Sequence, residues 1–175
     1  MPKSSSVYTQ SLLQTKVVLS IIEIGKNLND YLQQKIERKV GGKCIVDGYV
    51  QPKSIDLVSH SSGNILGETV EFQCVYRCNV CLPLEGMEIE CVCKTLTKAG
   101  IHAQVVDEHG NIPVVVFVAR EHHDNHPAFQ SESGVKEGDT LTVCILGERF
   151  ELNEDCICTI ATLVSRNNNE DAVDI

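Results

Sequence analysis

The chain changes character at Pro83-Leu84-Glu85-Gly86. Before this break the pattern reads strand, helix, strand, strand. After it come five short stretches, 87–96, 100–106, 112–119, 139–146 and 156–163, each about one strand long and each bounded by Gly, Asn, Asp or Pro. Five short strands with one long loop before the fourth predict an OB-type Greek-key barrel, a fold that often holds single-stranded nucleic acid. The expected fold class is α+β. An N-terminal α/β block covers 1–83, a five-stranded barrel covers 84–165, and a polar, acidic tail at 166–175 is expected to fray.

Within the first block, residues 25–40 carry the clearest helical signal. Leu28, Leu32, Ile36 and Val40 recur every four residues, Tyr31 and Lys35 flank them, and Gly41-Gly42 ends the run. Residues 7–19 and 43–58 read as strands, the second interrupted at Gln51-Pro52, and 60–67 reads as a polar loop. In 69–82, Phe72, Cys74, Tyr76, Cys78 and Val80 alternate with Glu71, Gln73, Arg77 and Asn79, the pattern of a half-buried strand.

A chain of 175 residues can bury a core without disulfides or metals. No apolar run is long enough to span a bilayer, and the opening Met1-Pro2-Lys3-Ser4-Ser5-Ser6 lacks the features of a secretory signal. An intracellular protein is expected. Its nine cysteines are an odd number and sit mostly among Val, Ile and Leu, so reduced thiols acting as small hydrophobes are expected. Charge is divided unevenly. Residues 1–83 hold nine Lys/Arg against seven Asp/Glu, a net of +2, and residues 84–175 hold six against seventeen, a net of −11. A barrel this acidic cannot hold nucleic acid tightly through counterion release, which needs many cations at phosphates.

Two clusters invite a metal. Cys74, Cys78 and Cys81, with Cys91 and Cys93, have zinc-like spacing. Yet Cys74 and Cys78 lie on one face of a strand, about 13 Å apart, and Cys81 points the other way. Structural cysteines are therefore expected. His122, His123, Asp124 and His126 fall in the long loop at 121–138, with no ligand fixed by helix or strand spacing, and read as a solvated loop. No phosphate loop, nucleophile elbow or His-Glu-x-x-His is present, so a binding or assembly role is favoured over catalysis, with no cofactor. On the barrel, His102 on the second strand and Phe117 on the third are candidates for base stacking. Arg120 and Arg149, isolated cations in an acidic half, are candidates for a phosphate contact.

The order of these features resembles the stalk subunit of multi-subunit RNA polymerases, the family of the seventh subunit of RNA polymerase II and its archaeal counterpart, with relatives in large DNA viruses. The similarity runs from Val7 to Leu163. It is carried by the helix Asn27-Leu28-Asn29-Asp30-Tyr31-Leu32 through Lys39-Val40, by Gly42-Lys43-Cys44, Gly48-Tyr49-Val50, the Gly63…Gly67 loop and Val75-Tyr76-Arg77-Cys78. In the barrel it is carried by Ala99-Gly100-Ile101, Val116-Phe117-Val118-Ala119-Arg120 and Leu146-Gly147-Glu148-Arg149. The resemblance implies a ribonucleoprotein-like N-terminal domain that docks on the polymerase core, with Leu28, Tyr31, Leu32, Ile65 and Leu66 as docking candidates. It also implies a helical partner like the fourth subunit, and a barrel facing nascent single-stranded RNA. His102 stands where the family more often has a large aromatic, and the barrel is more acidic than usual. Both departures point to weak RNA binding, and the cysteine richness and loose match point to a divergent, viral-type member. The rival readings are a stand-alone barrel protein of RNA decay or translation and a cysteine/histidine metal protein.

Overall fold

In the computed structural model, the described residues are 7–123 and 134–167. They form eleven strands, one α-helix and two short 3-10 turns. The N-terminal sheet is organised by β6 (Thr69–Cys81), which pairs along its whole length with β1 (Thr9–Ser20). The other edge of β6 is filled by short strands in succession. β5 (Asn64–Leu66) pairs at its start, β4 (Asp56–His60) at its middle and β3 (Gly48–Val50) at its end, and β3 in turn pairs with β2 (Cys44–Ile45).

The alternation in β6 has the expected consequence. Val70, Phe72, Cys74, Tyr76, Cys78 and Val80 are buried on one face. Helix α1 (Leu28–Val40) covers that face with Leu32, Ile36 and Val40, spaced one turn apart and buried together with Val17 and Leu19 of β1. Burying a side chain the size of Ile36 contributes about 1.5–3 kcal/mol. The interrupted strand expected over 43–58 is a tight β2–β3 hairpin followed by a separate β4. The loop expected at 60–67 contains β5. Three residues of strand are too short to show an alternation, so β5 leaves no pattern to read.

The second half is a closed five-stranded barrel in the order β10-β11-β9-β8-β7, and β7 closes onto β10. Its strands are β7 (Glu88–Leu96), β8 (Gly100–Val105), β9 (Val114–Ala119), β10 (Thr140–Arg149) and β11 (Ile157–Asn167). All pairs are antiparallel except β9 with β11. The interior holds Ile101, Val116, Leu141, Val143, Ile145 and Ile157, among others. Gly100 is required at the β7–β8 turn, because a Cβ there would run into the Val118 carbonyl on β9. β11 runs to Asn167, so Arg166 is a strand residue rather than the start of a tail, and its guanidinium pairs with Asp139 at 2.8 Å. Arg166 therefore joins Arg120 and Arg149 as an arginine of the barrel. The rest of the expected tail lies outside the described residues.

Two hydrophobic clusters result, and they meet at the near end of β6. Cys44, Tyr49 and Cys81 belong to the barrel's cluster although they lie on the N-terminal sheet. Asp107, in the turn after β8, ties the two together. It accepts hydrogen bonds from the Tyr8 hydroxyl at 3.0 Å and the Gln51 amide at 3.3 Å, and from the Asn111 side chain and the backbone N–H groups of His109 and Asn111. Burial alone would raise the Asp107 carboxyl. The donors outweigh it and bring the pKa down to about 2.

Candidate functional site

Strand pairing arranges three of the barrel residues singled out from the sequence, His102, Phe117 and Arg149, on one outer surface. His102 of β8 stands directly opposite Phe117 of β9, and their rings are in contact with centroids 4.8 Å apart and planes tilted by 44°. Thr95 of β7 continues this row on one side. Ile160 of β11 and Gly147 of β10 continue it on the other. Ile160 is half exposed, and nothing lies near a Cβ position at Gly147, so the row is open above Ile160 and the glycine. The Phe117 ring rests over Gly100, which fixes its orientation.

The next row on the same surface is Gln104, Val115, Cys158 and Arg149, on β8, β9, β11 and β10 in turn. Arg149 is largely exposed, with only a 3.6 Å ion pair to Glu151. At strand geometry it lies roughly 12 Å from Phe117, two strands across and one row along. Arg120 follows the other end of β9, opening the short turn Arg120–His122. The two cations therefore fall on opposite sides of the row that holds the aromatic pair, Arg149 in the row beyond it and Arg120 past the other end of β9. Such a surface offers stacking to bases and charge to a backbone on either side.

The docking candidates divide. Leu32 is fully buried and Leu28 packs against the same cluster, so these two hold α1 on its own sheet and offer nothing to a partner. Tyr31 is half exposed. Ile65 and Leu66, 72% and 52% exposed, belong to an apolar tip at the end of the sheet away from the barrel. The rest of that tip was not singled out from the sequence. Ile21, Ile22 and Ile24 follow β1 at the turn between β5 and β6, and Ile22 is 95% exposed. The short turn Ile21–Glu23 that displays them is fastened. The Ser20 N–H donates to the Glu23 carboxylate at 2.9 Å, the Ile21 N–H donates to the Glu68 carbonyl, and Glu23 pairs with Lys35 of α1 at 3.5 Å. The available signal was four residues, Ile21-Ile22-Glu23-Ile24, too apolar for an ordinary turn.

The cysteines and histidines fall as follows. Cys74 and Cys78 lie in the sheet-and-helix cluster and Cys81 lies in the barrel cluster, as opposite strand faces require. Burial pushes the Cys81 and Cys91 thiols up to about 12. They stay protonated and behave as small apolar groups. Among the described residues no three His, Cys, Asp or Glu side chains converge as a metal cage. Asp124 and His126 lie outside the described residues. His123 does not belong to a solvated loop. It is buried, its Nε2 accepts from the Leu163 N–H at 2.9 Å, and its Nδ1 lies 3.0 Å from the Ala119 carbonyl. An acceptor at Nε2 fixes the neutral tautomer with hydrogen on Nδ1. The ring closes the seam just past Ala161↔Val118, where parallel pairing of β11 with β9 stops.

The closed five-stranded barrel agrees with an OB-type protein. No family model matches the chain. Over 180 aligned residues the chain is 28% identical to a protein of Acanthamoeba polyphaga mimivirus provisionally named as a subunit of DNA-directed RNA polymerase, an alignment covering 95% of this chain and 86% of that protein.

Proposed function

We propose that this chain is a non-catalytic subunit of a DNA-directed RNA polymerase, of the stalk type. The observation that carries the reading is the end-to-end similarity to a protein named as such a polymerase's subunit, which spans both the N-terminal sheet and the barrel. In this reading residues 1–83 are the ribonucleoprotein-like domain and 84–165 the RNA-facing barrel. The apolar tip around Ile22 and Ile65 docks on the polymerase core, and Tyr31 serves the core or a helical partner like the fourth subunit. The His102–Phe117 row, between Arg120 and Arg149, receives nascent single-stranded RNA. The protein would act wherever its polymerase does, inside the cell, in the nucleus of a eukaryotic cell, or in the virion or host-cell cytoplasm of a virus.

Physical chemistry limits the RNA contact. Stacking on an aromatic contributes about 1–3 kcal/mol per base, and only Phe117 offers a strong platform. Two arginines do not offset a net charge of −11 across residues 84–175. The free protein should bind no tighter than about micromolar, near the nonspecific range. Delivery of RNA from an exit channel raises the local concentration and makes such a contact effective.

The test is affinity capture of the tagged chain from cells expressing it, followed by mass spectrometry. Recovery of large polymerase subunits and a small helical protein is expected. Recovery of ribosomal or nuclease components alone would replace this reading with that of a stand-alone RNA-binding barrel.

A further inference from the structure

Of the nine cysteines, only Cys158 is exposed, and its nearest cysteine in the chain is Cys156, half-buried. Cys156 immediately precedes β11, and the backbone bends at Asp155 and Cys156 before strand geometry begins at Ile157. Ile157 points into the barrel and is fully buried, so the residues on either side of it turn outward. In a straight strand, Cα atoms two residues apart are separated by about 6.6 Å. That is the upper edge of the range that a disulfide bridges, 4.4 to about 6.8 Å. A bend at the first residue shortens the span.

The third thiol nearby is Cys44. Backbone hydrogen bonds from the Cys44 N–H to the Glu154 carbonyl and from the Asn153 N–H to the Cys44 carbonyl hold it against the same bend. It is buried, and burial, followed by the neighbouring Cys156 and acidic side chains, pushes it up to about 11. It is therefore protonated and inaccessible. Burial raises Cys156 as well, which leaves the exposed Cys158 sulfur as the one that an oxidant reaches first.

We propose that Cys156 and Cys158 are an oxidisable dithiol that closes to an intrachain disulfide when the protein meets a peroxide. The Cys158 sulfur attacks one peroxide oxygen. The O–O bond breaks, one water leaves, and Cys158 carries a sulfenic acid. The Cys156 sulfur then attacks the Cys158 sulfur, the S–O bond breaks, and a second water leaves. The balance is two thiols and one hydrogen peroxide giving one disulfide and two waters. A thiol reductant reverses the change by exchange. The bond falls beside Arg149, the partner of Cys158 on β10, and at the point where Cys44 joins the N-terminal sheet to the barrel. The chemistry itself needs neither RNA nor a polymerase.

The test uses reduced full-length protein treated with one equivalent of hydrogen peroxide, denatured, alkylated and digested with trypsin. Cleavage after Arg149 and Arg166 releases residues 150–166, which contain Cys156 and Cys158 and no other cysteine. The expected result is that this peptide becomes lighter by two hydrogens and refractory to alkylation, and regains both alkylations after reduction, while the buried cysteines are fully alkylated. In Cys156→Ser the expected product is a sulfenic acid at Cys158, trapped by a sulfenate-specific nucleophile. Alkylatable Cys156 beside over-oxidised or intermolecularly bridged Cys158 in the unmodified protein would overturn the proposal. A Cys44–Cys156 cross-link, or a Cys158 inert to peroxide in Cys156→Ser, would do the same.

Discussion

The apolar tip and the barrel's stacking row are both exposed, and they are built from opposite materials. The tip gathers five aliphatic side chains, Ile21, Ile22, Ile24, Ile65 and Leu66, on a turn locked by Glu23. The row offers one aromatic pair, one aliphatic and flanking arginines on a barrel rich in carboxylates. β1 leads from the tip toward the barrel, where Tyr8 just before it bonds Asp107, and spans roughly 35 Å for its 12 residues. An aliphatic patch gains from being removed from water by another apolar surface and has nothing to offer a phosphate. A stacking row flanked by cations has the reverse preference. One chain thus carries two exposed surfaces of opposite chemical preference.

The strongest perturbation is expected at the tip. Ile22→Asp combined with Ile65→Asp should remove the chain from its assembly, because carboxylates in an apolar interface cost several kcal/mol. About 4 kcal/mol corresponds to roughly a thousandfold loss of affinity. Quantitative co-purification measures it, and melting of the free protein should be unchanged, since both side chains are solvent-exposed already. Undiminished co-purification would make the tip an ordinary surface.

Next in size is the junction that holds the two regions in one frame. In Asp107→Asn an amide N–H replaces one acceptor facing Tyr8 and Gln51. A buried donor left without its partner costs about 1–3 kcal/mol, so a loss near 2 kcal/mol is expected in chemical denaturation. The pH dependence follows from the carboxyl's folded value of about 2, below its ordinary value near 3.9. A depressed carboxylate stabilises the fold above its unfolded pKa, and that contribution fades as pH falls from about 4 to about 2. Tyr8 is shifted upward, by burial first and then by its bond to Asp107. Its contribution is complete below about pH 10 and declines above it. Asp107→Asn should flatten the acid limb of the stability profile.

How much of this is legible in the sequence depends on periodicity. α1 and β6 announce their buried faces because eight or more residues repeat a period. The five barrel strands announce themselves by length and by turn residues. The pairing order does not, because β11 beside β9 is a long-range contact that no local pattern encodes. In the sequence His102 and Phe117 are separate residues on adjacent strands. Only the register makes them a pair, and only the register adds Ile160 and Cys158 beside them. The tip escapes for a different reason. Its isoleucines break the rule that turns are polar, and an apolar turn in a sequence looks like the end of a strand. His123 reads as a loop residue because its partner, Leu163, is 40 residues away.

Smaller changes probe the barrel face. Phe117→Ala should lower single-strand RNA binding or crosslinking by about 1–3 kcal/mol, at least about fivefold, because the stacking surface is lost. His102→Ala should cost less, since an imidazole stacks over a smaller area. Neither should affect co-purification if the two ends act separately, and a joint loss would merge them into one surface.

The smallest effect is expected at Arg149. Its side chain is exposed and its ion pair with Glu151 is long, so Arg149→Ala should leave stability unchanged. What it should change is the salt dependence. Each phosphate neutralised on a single strand adds about 0.7 to the slope of log affinity against log salt. Arg149→Ala should therefore reduce that slope by about 0.7, and the affinity difference from the unmodified protein should shrink as salt rises. Phe117→Ala should do the opposite, lowering affinity by a constant factor at every salt concentration, because stacking releases no counterions. Two parallel titration series separate the roles. If Arg149→Ala shifts affinity by a salt-independent factor, its guanidinium stacks on a base rather than contacting a phosphate, and the RNA backbone does not pass beside it.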